Sequence, residues 1–113
     1  MEMDEQRVEG IFNKVYELTF SGKLDWRSPN PKHNTFVTEV GIYVIYLERS
    51  GLTYAFTVKR SGETINLGVL SGGLFGRSEQ FNEKLEKLYE KVNRAVFKID
   101  QGLDDLLKSL DNI

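Results

Sequence analysis

From residue 35 onward the apolar period of the chain drops from about 3.6 residues to two, the spacing of a strand. Two Ser-Gly pairs, Ser50-Gly51 and Ser61-Gly62, cut the stretch up to residue 70 into hairpin-sized pieces. The runs 35–40, 42–49, 52–60 and 64–70 are rich in β-branched and aromatic residues, which fit a pleated, half-buried surface. Short glycine turns between such runs predict an antiparallel meander of four strands, with Gly41 at the bend between the first two.

The flanks keep the helical period. Val8, Ile11, Phe12, Val15 and Leu18 recur at steps of three and four and predict a helix from Asp4 to about Phe20, stopped at Gly22. Two prolines in RSPNPKHN then predict an irregular connector. Beyond residue 78, Phe81, Leu85, Leu88, Val92, Val96 and Ile99 form a second stripe, with Ser78 as its expected N-cap and a charged opposite face. Gly102 interrupts that pattern, and Asp100 is a candidate cap for a separate segment through Leu103, Leu106, Leu107 and Leu110. Residues 79–111 therefore read as one long helix or as a pair. A chain of 113 residues with 40% hydrophobic content is one domain, 1–113, of the α+β class.

Alternation sorts the strands into two faces. Phe36, Val40, Tyr43, Ile45, Leu47, Tyr54, Phe56, Val58, Ile65, Leu67 and Val69 make an apolar face on which the helices are expected to pack. The other face is mixed, yet its centre is apolar: Val37, Ile42, Val44, Tyr46 and Ala55. The run from Ile42 to Leu47 is apolar toward both sides, so the second face needs a cover. A twofold homodimer through that face is the expectation, ahead of a helix of the same molecule crossing over to sandwich the sheet.

Chemistry is hard to find in the pattern. The chain has no cysteine and one histidine, His33, so neither a thiolate nucleophile nor a usual zinc shell can be assembled, and no metal or cofactor is expected. The segment 72–78, GGLFGRS, lies before a helix but matches neither the dinucleotide fingerprint nor the phosphate loop, and reads as a connector. Asp104 and Asp105 read as solvation of a helix face. An enzyme is not expected. The net charge of -2 is unevenly spread, -3 over residues 1–20, +3 over 21–78 and -2 over 79–113, a bias too small to specify a polyanionic partner. No apolar run approaches the roughly 20 residues of a membrane helix, and the acidic start MEMDEQRVEG has no secretory-signal pattern, so a cytoplasmic protein without a membrane role is expected. Trp26 and Arg27, with Lys32 and His33, form the candidate recognition loop, the alternative for Trp26 being a cap on the core.

The pattern Gly22-Lys23-Leu24-Asp25-Trp26, then Phe36, Gly41, Tyr54, Phe56 and Val58, and finally Leu88-Tyr89 with Ile99-Asp100, resembles short uncharacterised bacterial and phage α+β proteins. That resemblance implies a small α+β domain and no activity. In topology alone, four strands followed by a helix resemble the repeat of the PUR-alpha and Whirly families, which bind single-stranded nucleic acid on a curved sheet. The resemblance implies a nucleic-acid surface at Tyr46, Arg49, Lys59 and Arg60. The residues point first to a non-catalytic protein-interaction module, homodimeric through Val37, Ile42, Val44 and Tyr46 with Trp26 and Arg27. Single-stranded nucleic-acid binding is the alternative.

Overall fold

The computed structural model describes residues 2–30, 34–73 and 79–113. Helix α1 (Glu2–Phe20) buries Val8, Phe12 and Val15, the inner edge of the predicted stripe, and leaves Ile11 partly exposed. It ends in a double hydrogen bond: the Lys23 N–H donates to the Leu18 carbonyl at 2.9 Å and the Gly22 N–H to that of Thr19 at 3.1 Å. This closure needs the left-handed backbone that Gly22 supplies at φ 72°.

The sheet has five strands in the order β1 (Arg27–Asn30), β2 (Thr35–Val40), β3 (Tyr43–Ser50), β4 (Thr53–Arg60) and β5 (Asn66–Gly73), every neighbour antiparallel. The predicted meander is thus extended by β1, which lies in the stretch expected to be an irregular connector. Its pairing is sparse and irregular, Arg27 opposite Val37 and Asn30 opposite Thr35. Pro29 is tolerated because an edge strand can spare an N–H. Side-chain bonds secure this edge. Thr38 Oγ1 donates to the Asp25 carbonyl at 2.7 Å, and Ser28 Oγ to the Thr35 carbonyl at 3.2 Å.

A register shift changes which residues of β5 face the helices. Val58 pairs with Gly68 but Lys59 with Asn66, so Leu67 is an extra residue on the β5 side. A one-residue bulge exchanges the two faces of the strand beyond it. Leu70 is therefore buried in the core and Val69, opposite Thr57, is turned to the other face and exposed. Ile65, expected on the core face, precedes the strand and is exposed.

Both long helices pack on the face of Phe36, Ile45, Leu47, Phe56, Val58 and Leu70. The second helix, α2 (Glu79–Val96), contributes Leu85, Leu88, Tyr89 and Val92. Two glycines of β5 let these helices close on the sheet. A Cβ at Gly68 would overlap Val8 of α1, and one at Gly72 would come within 2.7 Å of Leu85 Cδ2 and 2.9 Å of Asn82 Oδ1 of α2. Gly72 is thus a packing notch within a strand rather than part of a connector. The rest of that segment, 74–78, and with it the expected cap Ser78, lies outside the described residues.

The C-terminal segment is a pair of helices. After Val96 the chain turns at Lys98, whose φ of 51° is left-handed, and α3 (Ile99–Asp111) begins. Arg94 of α2 spans the break to Asp100 at 2.7 Å. Unlike α1 and α2, helix α3 buries no residue. The molecule is 60 Å long against 32 and 26 Å across, with a radius of gyration of 15.8 Å, where a chain of this length packed into one globule has about 13 Å. Among the described residues, no helix is long and apolar enough to cross a membrane.

Candidate functional site

The face of the sheet away from the helices carries Val37, Val44, Tyr46, Ala55, Thr57 and Val69 by register. Val37 is only 3% exposed and Val44 9%, although neither belongs to the core under the helices. Their cover consists of long side chains on the same face. Arg27 stands opposite Val37 and bonds Glu39 at 2.8 Å, and the Lys59 ammonium lies 5.2 Å from the centre of the Tyr46 ring. The stems of such residues shield apolar surface while their heads stay in water. The greasy centre of the second face is therefore closed within one molecule, without a crossing helix. Ile42 is not part of it. It sits in the β2–β3 turn, 63% exposed, because β3 begins one residue later than its hydrophobicity suggests.

The same side chains line a depression of about 330 Å³ that also holds Arg60 and Glu63. It brings Tyr46, Lys59, Arg60 and Arg27 together. Glu39 neutralises Arg27, and Glu63 lies 3.6 Å from Arg60. Arg49 is elsewhere. It pairs with Tyr54 across the other face, its guanidinium 5.9 Å from that ring, and its Nε donates to the Gly51 carbonyl at 3.1 Å. Trp26 packs against the core, and its indole N–H donates to Thr19 Oγ1 at 3.1 Å. That geometry is the core cap, with Arg27 turned toward the open face. Lys32 and His33 lie outside the described residues.

Tyr54 and Tyr89 meet edge to face at 5.4 Å. Burial pushes both hydroxyls above the usual phenol range, and the Arg49 charge pulls each partly back.

Besides Val69 on the open face and Ile42 in the turn, apolar side chains are exposed along α3 and beside α1. Leu103, Leu106, Leu107 and Leu110 run along one stripe of α3, each more than half exposed. A second apolar feature, a cleft of about 560 Å³, opens between α1 and the β2–β3 end of the sheet. Ile11, Val40, Tyr43 and Leu67 line it and are partly exposed, and Arg7 and Lys14 are the charged residues in its wall. The leucine stripe was visible in the sequence, but its position outside the core was not. The cleft had no sequence signal, because it arises where α1 leaves the β2–β3 hairpin uncovered.

Comparison with known protein families, curated proteins and solved structures finds no match to this chain.

Proposed function

We propose that the chain is a non-catalytic protein-interaction module that associates with a second copy of itself. The observation that carries this reading is α3, a 13-residue helix with an apolar stripe and no buried residue. An isolated helix of that length is marginal in water and takes its stability from packing an apolar face. Four leucines on one exposed stripe are the mark of a docking element. The open sheet face supports the reading less than its composition suggests, since Val37 and Val44 are already covered. The test is sedimentation equilibrium across the micromolar range. The expected mass is twice that of the chain, falling to the monomer in Leu103→Glu/Leu107→Glu at an unchanged melting temperature. A monomer at every concentration removes the proposal.

A second reading has one observation in its favour, the grouping of Tyr46, Lys59 and Arg60 in a single depression on a twisted sheet. Single-stranded nucleic acid would then bind in a salt-dependent way, weakened by Lys59→Ala. The carboxylates of Glu39 and Glu63 in that depression argue against it, and an oligonucleotide that fails to bind at low salt disposes of it.

A further inference from the structure

We propose that the two copies exchange their third helices: the leucine stripe of α3 from each molecule seats in the cleft beside α1 of the other. This rests on the self-association proposed above and names its geometry. Three features make the helix and the cleft complementary.

The first is apolar matching. The helix offers four leucines, and the cleft offers Ile11, Val40, Tyr43 and Leu67, all with exposed surface in the single chain.

The second is charge. With Asp100 held by Arg94, helix α3 still carries Asp104, Asp105 and Asp111 against Lys108, and the charged residues in the cleft wall are Arg7 and Lys14. Lys14 holds a loose ion pair with Glu17 at 3.9 Å, both side chains about 70% exposed, which offers little resistance to a new partner.

The third is spacing. Arg7 and Lys14 are seven residues apart on α1, and Asp104 and Asp111 are seven apart on α3. Seven residues are two turns, so each pair stands about 10 Å apart on one side of its helix. At 100° per residue, Asp104 and Asp111 flank the same side of the leucine stripe, with Leu107 between them. On α1, Ile11 lies between Arg7 and Lys14. A parallel pairing, Arg7 with Asp104 and Lys14 with Asp111, therefore satisfies both charges on one side while Leu107 meets Ile11.

The area is also sufficient. A helix of 13 residues is about 20 Å long and ~10 Å wide, so half of its lateral surface is about 300 Å². Burying that much helix and as much cleft at each of two symmetric sites removes about 1,200 Å², the lower bound for specific association. A reciprocal exchange closes on itself, whereas one docked helix would leave the second stripe bare.

The chain contains no cysteine, so disulfide trapping is clean. The variant Ile11→Cys/Leu107→Cys is oxidised and run without reductant beside each single variant. A covalent dimer from the double variant alone is expected. In parallel, Arg7→Asp/Lys14→Asp is expected to weaken the dimer about tenfold, with recovery on adding Asp104→Lys/Asp111→Lys. A bridge formed within one chain, or charge reversals that do not compensate, overturns the exchange. A dimer that persists by sedimentation yet never bridges also overturns the exchange but leaves self-association intact, whereas a monomeric wild-type chain refutes both.

Discussion

The crossing of α1 over β5 at Gly68 makes the strongest test of the packing. An added Cβ there would overlap Val8 Cγ2 and stand 3.3 Å from Val8 Cβ and Cγ1. Overfilling a packed contact costs roughly 1–3 kcal/mol, and replacing glycine inside a strand returns about 0.5–1 kcal/mol of backbone entropy. Gly68→Ala should thus lose about 1–2 kcal/mol, or 4–8 °C at about 4 °C per kcal/mol for a domain of this size. Val8→Ala alone removes two buried methyl groups and should lose about 2 kcal/mol. In the double variant the new methyl occupies space that the Val8 methyls vacate. Its loss should fall short of the two single losses combined by about 1–2 kcal/mol. Urea unfolding followed by the fluorescence of Trp26, the one tryptophan, measures all four proteins. Additive losses, within about 0.5 kcal/mol, would show that α1 does not cross the sheet at this residue.

Other outcomes follow from the same contacts. Trp26→Ala should lose about 2–3 kcal/mol and Trp26→Phe about 1 kcal/mol, since the second keeps the ring packing and removes only the bond to Thr19. An unchanged melting temperature in Trp26→Ala would return the residue to recognition. Val37→Ala should cost about 1–2 kcal/mol of stability and leave the dimer dissociation constant unchanged, because this side chain is already covered in the single chain. A loss of association at unchanged stability would restore the open sheet face as the contact surface. The raised pKa values of Tyr54 and Tyr89 have a definite sign: the fold favours the neutral phenol. The contribution is complete below pH 10, the ordinary tyrosine value, and declines as pH rises from there through the folded-state values. Ultraviolet titration should show these two ionising above the ordinary phenol range, and replacing both with Phe should flatten the alkaline loss of stability.

Local pattern was a good guide wherever one period dominated. The α1 stripe, the three hairpin strands β2 to β4 and the α2 stripe stand within a residue or so of where their spacing put them, because burial of one face is decided by which residues share that face. Pattern failed where a backbone detail intervened. Two prolines hid β1, since an edge strand needs few ladder bonds and leaves little trace in hydrophobicity. One extra residue at Leu67 turned Val69 outward and Leu70 inward, and no composition argument foresees a bulge.

The candidate site divides the same way. The sequence alone determined that α3 would be amphipathic and that β3 would be apolar toward both sides, because both are properties of residue spacing. Only tertiary structure decided what became of them. Arg27, Lys59 and Tyr46 come from three different strands to cover Val37 and Val44, and the left-handed turn at Lys98 directs α3 away from the core. Burial is a property of neighbours brought together from distant parts of the chain. A surface that reads as exposed can therefore be covered, and a stripe that reads as core can be left for a partner.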